Sequence, residues 1–322
     1  MNVGFIGTGN IANVVAKTLN KLDNKDIVLY ACASRSTQKA EKFAKKHGFK
    51  THYGSYDDLI FCKNVDLVYI ATPHSTHYHL SKRAIEACKN VIVEKPASTD
   101  AKKLGELIAL AKEKNVFFTE AFWTAFDPIV KELKERSDKG EFGEIISVES
   151  SFCQPIAHIK RLFDPSLAGG ALLDLGVYDV FHSLYYTESE TENIEAHTKM
   201  LKTKVDGTTK VSISFNDHFA KFVCSIRRFG KNNVTIDAEK AKITLDIINF
   251  PTKCVIKHKG SDKREILRQK KITGYEFEFI AIENYLKKGE KQAKEIPHDL
   301  SLKIISCCDE IRKQIGLTYP FD

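Results

Sequence analysis

The sequence predicts an α/β protein: an N-terminal Rossmann doubly wound parallel sheet, followed by an α+β domain with a large open, mainly antiparallel sheet. Three observations carry this. Short apolar strands alternate with helical patterns from the first residue to about residue 120. The apolar pattern then changes to strict alternation, as in Lys210-Val211-Ser212-Ile213-Ser214-Phe215, which buries one face of a strand and leaves the other polar. The chain has 322 residues, enough for two hydrophobic cores. The expected domains are 1–120 and 121–322.

The chain enters a strand at once with Val3-Gly4-Phe5-Ile6, then reads Gly7-Thr8-Gly9-Asn10-Ile11-Ala12, a G-x-G-x-x-A pattern that opens a helix with Val14, Val15, Leu19 and Leu22 at helical spacing. Gly7 permits the tight turn and Gly9 lets the backbone approach a pyrophosphate. Ala12 keeps helix and strand close, so the helix N-terminus faces the phosphates. The second strand, Ile27 to Ala33, ends in Ser34-Arg35-Ser36. No acid occurs between Ile27 and Gln38 to bind a ribose 2′-hydroxyl. An arginine flanked by hydroxyls suits a 2′-phosphate, so NADP is expected ahead of NAD.

A buried strand at Asp66 to Ala71 runs into Thr72-Pro73-His74-Ser75-Thr76-His77-Tyr78-His79. Its three histidines invite a zinc reading, but no cysteine or paired carboxylate completes a ligand set, and no metal is expected. Thr72 and Pro73 are expected to shape a loop beside the nicotinamide ribose, with His77 near the start of the next helix. The strand Val91-Ile92-Val93 then stops at Glu94-Lys95-Pro96, because proline cannot donate to a ladder. Lys95 therefore stands at the carboxyl end of a strand, where open α/β sheets bind ligands. A helix from about Thr99 to Lys114 and a strand Val116 to Thr119 complete the first half.

Beyond Glu120, further alternation at Val234 and Ile236 and at Ile243, Leu245 and Ile247 marks one-sided strands, with Asp206-Gly207 and Asn216-Asp217 as short connections. A C-terminal helix capped by Asp299 carries Leu300, Ile304, Cys308, Ile311 and Ile315 on one stripe. Two stretches stand apart. Glu120-Ala121-Phe122-Trp123-Thr124-Ala125-Phe126 is an aromatic cluster, either core packing or, with Trp123 and Phe126, a platform for a ring or sugar. In Ala168-Gly169-Gly170-Ala171-Leu172-Leu173-Asp174-Leu175-Gly176-Val177-Tyr178, a glycine pair leads into a helix. On it Asp174, Tyr178 and His182 are four apart and share one face, as a solvated face or an acid-base set.

Composition excludes several classes. Hydrophobic residues make up 43% and charged residues 28%, and the net charge of +7 comes from dispersed lysines, a pattern of solvated faces and not of a nucleic-acid groove. No apolar run reaches the roughly 20 residues of a membrane span, and the N-terminus has no signal pattern, so a cytoplasmic protein is expected. Eight scattered cysteines, with Cys307 and Cys308 adjacent and no C-x-x-C pair, read as reduced thiols.

With Gly7-x-Gly9-x-x-Ala12, Glu94-Lys95-Pro96 and Asp174-x-x-x-Tyr178 in this order, the chain resembles the glucose-fructose oxidoreductase, inositol dehydrogenase and MocA superfamily, nearest its dimeric dihydrodiol dehydrogenase branch. Glu120-Ala121-Phe122-Trp123-Thr124, Arg161-Leu162-Phe163-Asp164-Pro165 and Asp309 to Gly316 extend the match over nearly the whole chain. The resemblance implies a homodimer formed through the C-terminal sheet, and reversible hydride transfer between NADP and a sugar or diol hydroxyl or carbonyl. Lys95 and Tyr178 would be its catalytic pair; Asp174, one turn before Tyr178, is expected to hold the lysine or a substrate hydroxyl, and Arg161 and His182 are the further substrate candidates. A phenol with a pKa near 10 is a poor base at neutral pH, and Lys95 would supply the cation that lowers it. Ala125 stands where that branch carries arginine, and Ala168 where it carries a third glycine. The alternatives are a sugar-specific dehydrogenase or dicarbonyl reductase without dihydrodiol activity, or a non-catalytic NADP-sensing module.

Overall fold

A computed structural model of the chain describes every residue except Ala157 and Glu188. It falls into two compact units, one of Met1–Trp123 with Lys271–His298, the other of Thr124–Lys270 with Asp299–Asp322.

The first unit begins with β1 (Asn2–Ile6), α1 (Asn10–Lys21), β2 (Val28–Ala33), α2 (Thr37–His47), β3 (Thr51–Tyr53) and α3 (Tyr56–Ile60). It continues with β4 (Leu67–Ile70), α4 (His77–Glu86), β5 (Asn90–Glu94), α5 (Ala101–Glu113) and β6 (Phe118–Ala121). The strands form one parallel sheet in the order β3-β2-β1-β4-β5-β6. Helices cover both faces, which is why β4 and Val91–Glu94 of β5 are buried without alternation. Strand order reverses between β1 and β4, so the crevice outside their carboxyl ends is the position where this architecture takes a ligand. Gly7 and Thr72 follow those two strands. Between Tyr53 and Tyr56 only two residues turn the chain, and β3 has three; a strand and helix this short carry no readable period.

The second unit contains α6 (Pro128–Asp138), β7 (Ile145–Cys153), α7 (Val177–Tyr185), β8 (Thr191–Met200), β9 (Asp206–Phe215) and β10 (Phe219–Ser225). It adds β11 (Val234–Ala238), β12 (Ala241–Leu245), β13 (Lys253–His258) and β14 (Arg264–Arg268). One eight-stranded sheet runs β14-β13-β12-β11-β7-β10-β9-β8. All its pairings are antiparallel except β7 with β10. Val211, Ile213 and Phe215 of β9 are buried with Ala220, Phe222 and Cys224 of β10, while Lys210, Ser214 and Lys221 are exposed. The alternation read from the sequence is therefore the inside and outside of this sheet. Asn216-Asp217 turns β9 into β10, closed by Phe215 N–H to His218 O at 2.9 Å. Asp206-Gly207 is not a turn: it opens β9, and the chain reverses earlier, with Leu201 N–H bonded to Val205 O at 2.8 Å. Asp206 is buried, and its carboxylate bonds the Leu172 N–H and the Thr209 hydroxyl in place of a turn of its own.

Two helices follow, α8 (Tyr275–Lys287) and α9 (His298–Ile315). The sequence assigns everything after residue 120 to the second domain, but α8 packs in the first unit. Thr273 meets Thr18 at 2.8 Å, Glu283 accepts from Asn24 at 2.8 Å, and the Phe279 ring stands edge-on to Tyr69. An amphipathic pattern says that a helix has a partner, not which one. In α9, Ile304, Cys308 and Ile311 are buried as expected, with Asp299 in the first turn and not before it. Gln314 of α9 caps the open edge of β8: its Oε1 accepts the Ala196 N–H at 3.0 Å and its Nε2 donates to Ile194 O at 2.7 Å. The side-chain amide takes the place of a ninth strand and blunts an edge that would otherwise invite pairing. No helix among the described residues is long and apolar enough to cross a membrane.

Candidate active site

At the cofactor end of the first unit, Gly7 turns the chain out of β1 with φ +104°, and a Cβ there would lie 2.4 Å from Ala71 O. Only glycine fits this turn. Its N–H reaches Ala33 O at 3.0 Å and ties the turn to the end of β2. Gly9 caps α1; a Cβ built on it would meet no atom within 4 Å, so the backbone there borders open space. No side chain caps α1, its first turn holds no acid, and Gly9, Asn10 and Ile11 are exposed. These residues with Thr8 form the cradle that a pyrophosphate requires: main-chain donors, a positive helix end and room for close approach. At the end of β2, Ser34 is buried and Arg35 is exposed. Burial pushes the Tyr56 hydroxyl up, and the Arg35 guanidinium beside it opposes that rise.

The turn after β4 and the Glu94-Lys95-Pro96 break are braced by one residue. His77 is buried, with Nε2 2.8 Å from Thr72 O and Nδ1 2.8 Å from Pro96 O, the Lys95–Pro96 peptide being cis. Its ring joins the two loops through their main chains and has no surface to offer a cofactor, contrary to the cofactor-binding role read from the sequence. Thr76 Oγ1 donates within the same turn, at 2.7 Å to Thr72 Oγ1 and 2.7 Å to Pro73 O. His74 is buried and His79 exposed; among the described residues no group of three His, Cys, Asp or Glu is placed to hold a metal. Glu94 is also buried, and its Oε1 accepts from the Tyr69 hydroxyl at 2.6 Å. It anchors the strand end beneath Lys95, which is half-buried at the carboxyl end of β5. Glu278 of α8, buried with the same cluster, has its carboxyl pushed up by desolvation and then by the Glu94 charge.

In the second unit, Arg161 sits on a short 3₁₀ turn (Lys160–Phe163), and its guanidinium donates to Asp174 Oδ1 at 2.9 Å. Asp174 lies in a π-helical turn (Leu172–Gly176) that runs straight into α7. Such wide turns are rare and concentrate at functional sites. Tyr178, in the first turn of α7, is 4% exposed, with its ring edge-on to Phe152 at 5.7 Å. A spacing of four therefore does not keep Asp174, Tyr178 and His182 equivalent. His182 is fully buried, its Nε2 2.8 Å from Ile248 O and its Nδ1 3.1 Å from the Tyr186 hydroxyl. Burial lowers its pKa to about 4, the bond to Ile248 opposing. It is a neutral core histidine, not a substrate group. Asp179, next to Tyr178, faces the sheet, accepting from Ser150 Oγ at 2.6 Å; burial holds its carboxyl well above the usual range.

The aromatic pair offered as a substrate platform is packed away. Trp123 stacks on Tyr275 at 4.1 Å and 7°, with Gly274 against its ring. Phe126, in the second unit, is 2% exposed. Sequence reasoning did not find Ser150 or Asp179, single polar residues in apolar surroundings with no motif of their own, and it read Asp206 as part of a turn.

A parallel sheet in the order 3-2-1-4-5-6 with a glycine cradle after its first strand defines a dinucleotide-binding unit of the Rossmann class. The model of the oxidoreductase family with an NAD-binding Rossmann fold matches residues 1–122, and that of the GFO/IDH/MocA C-terminal domain matches residues 130–244. The chain is 32% identical to the bovine (Bos taurus) trans-1,2-dihydrobenzene-1,2-diol dehydrogenase over 99% of its own length and 98% of the relative's. For the mouse (Mus musculus) enzyme of the same name the identity is 30%, with the same coverage. This protein belongs to the GFO/IDH/MocA oxidoreductase family. Its fold is similar to that of a 3-ketoreductase from Actinomadura kijaniata in complex with NADP and TDP-benzene, with a TM-score of 0.86 at 23% identity and 98% of each chain covered. It is also similar to an aldose-aldose oxidoreductase from Caulobacter crescentus complexed with glycerol, with a TM-score of 0.87 at 19% identity, 98% of this chain and 97% of the other.

Proposed function

We propose that this oxidoreductase uses NADP to move a hydride between the nicotinamide and a sugar or diol hydroxyl or carbonyl, with Tyr178 as general acid and base assisted by Lys95. The observation that carries the reading is a phenol held at the start of α7, one turn beyond an Asp174–Arg161 ion pair, in a chain whose first unit presents Lys95 at a strand end. The bound nicotinamide supplies the hydride chemistry. Tyr178 gives or takes the hydroxyl proton, and the Lys95 ammonium favours the phenolate. Asp174, fixed by Arg161, orients a substrate hydroxyl. Gly7, Thr8, Gly9, Asn10 and Ile11 hold the pyrophosphate; Ser34 and Arg35 take the 2′-phosphate; Thr72 and Pro73 border the ribose. The names of the relatives support diols and sugars as the substrate class.

The test is a turnover panel with NADP and NAD over trans-dihydrodiols, aldoses, nucleotide-activated ketosugars and dicarbonyls. Diol or sugar turnover is the expected result. Activity confined to dicarbonyls would replace the substrate class, and NADP binding without turnover of any member would leave a sensing module.

We infer further that the protein works in the cytoplasm as a homodimer through the open face of the eight-stranded sheet. That face sets Glu149 beside Lys221 on the neighbouring strand, with Phe219 exposed under the Lys221 ammonium at 5.2 Å. Light scattering at micromolar concentration should give about twice the chain mass of 36.4 kDa, and Lys221→Glu should lower the dimer fraction. A particle of single-chain mass would remove the dimer.

A further inference from the structure

The Asp206-Gly207 pair, a turn signal in the sequence, is instead a buried carboxylate at the start of β9. It lies within the second unit against the segment that bears Asp174 and Tyr178. Oδ2 of Asp206 accepts the Leu172 N–H at 2.8 Å and the Thr209 hydroxyl at 2.8 Å. Leu172 is the first residue of the π-helical turn. On the other side of the carboxylate is Gly170, with φ +121°, where a Cβ would stand 2.0 Å from Asp206 Oδ1. The acid and the glycine are matched: no side chain fits at residue 170 while the carboxylate occupies that place.

The rest of the turn is tied as closely. Gly169 O accepts from the Tyr319 hydroxyl at 2.9 Å, Gly169 N–H donates to Asp164 O at 3.1 Å, and Gly170 N–H donates to Leu162 O at 2.9 Å. A Cβ on Gly169 would lie 2.6 Å from Leu162 O. Leu162 is the neighbour of Arg161, whose guanidinium reaches Asp174. Asp206, the glycine turn and the Arg161–Asp174 pair thus form one hydrogen-bonded assembly around the entry to α7.

We infer that Asp206 is a positioning residue: its carboxylate fixes the glycine turn and the first π-helical residues, and through them the placement of Asp174 and Tyr178. This rests on the proposed role of those two residues. An acid in this place is costly. Burial pushes its carboxyl up to about 6, against the bonds from Thr209, Leu172 and Ala171, and the groups facing it are the Cys224 thiol on β10 and the Tyr319 phenol, both pushed up by burial first and by the Asp206 charge second. A residue serving only to fill space has no need of a buried acceptor; one that must hold a main-chain N–H and a hydroxyl at once does.

Asp206→Ala, Asp206→Asn and Thr209→Val test this. The alanine variant should lose ten- to a hundredfold in kcat, with the NADPH dissociation constant unchanged within twofold, because the cofactor residues lie in the other unit. Asparagine keeps an acceptor for the Leu172 N–H and should restore most of the loss. A kcat for Asp206→Ala within twofold of the parent would overturn the inference, as would asparagine behaving no better than alanine. Should Asp206→Ala not fold, Thr209→Val decides: a several-fold loss of kcat supports the inference and no loss overturns it. If the unaltered enzyme turns over none of the panel, the proposed reaction has failed and the inference is judged by amide hydrogen exchange alone. Faster exchange at Leu172 to Asp174 in Asp206→Ala than in Asp206→Asn would sustain the clamp, and equal exchange would end it.

Discussion

Tyr178→Phe is expected to lower turnover by about 10²- to 10⁴-fold, the usual contribution of a general acid-base group, while NADP still binds. Only a hydroxyl is removed, and the ring keeps its edge-on contact with Phe152. Lys95→Met should do comparable damage and, on the proposed pairing, the pH profile of its residual activity should move upward, because the phenol would then ionise without the cation assigned to it. The double variant should cost little more than either single one, since groups acting as one unit are not additive. Nearly full activity in Tyr178→Phe would send the proton elsewhere. His182 is not the substitute, being buried and bonded through both nitrogens; Asp174 is the remaining group on that segment.

The second large effect concerns the cofactor. Arg35→Ala should weaken NADP binding by about 1.5–3 kcal/mol, the order of a hydrogen bond to a charged group and equivalent to roughly ten- to a hundredfold in affinity, with NAD nearly unaffected. The first unit has no acid at the end of β2 to take a ribose hydroxyl, and the exposed guanidinium is there instead. Fluorescence titration with NADPH and NADH in parallel measures both constants. Equal losses for the two cofactors would mean that Arg35 reads no 2′-phosphate.

Much of the first half was legible because its signals are local. A glycine pattern, a proline after a strand and an apolar run each act within a few residues, and β1, β2, β4 and β5 stand within one residue of where those signals put them. The one-sided strands β9, β11 and β12 were legible for the same reason. What failed was whatever depends on a distant partner. His77 and His182 read as chemical groups because an imidazole usually is one, yet main-chain carbonyls claim both rings. The four-residue spacing from Asp174 presumed a uniform helix, whereas Asp174 lies in a π-helical turn whose first residue is bonded to Asp206, far along the chain. Trp123 was open between two readings, and the choice was made by Tyr275, far along the chain.

That last pairing bears on the order in which the protein is made. The unit that begins at Met1 is closed by Lys271–His298, so the whole of Thr124–Lys270 leaves the ribosome before its final helix exists. At about 5–20 residues per second that wait is on the order of ten seconds. During it Tyr69 lacks the Phe279 ring, Trp123 lacks Tyr275, and Glu94 has not yet met Glu278. The nascent nucleotide-binding half therefore carries an uncovered apolar strip for the entire synthesis of its neighbour. A chain released early, anywhere before α8, would leave Tyr69 and Trp123 without the rings that cover them.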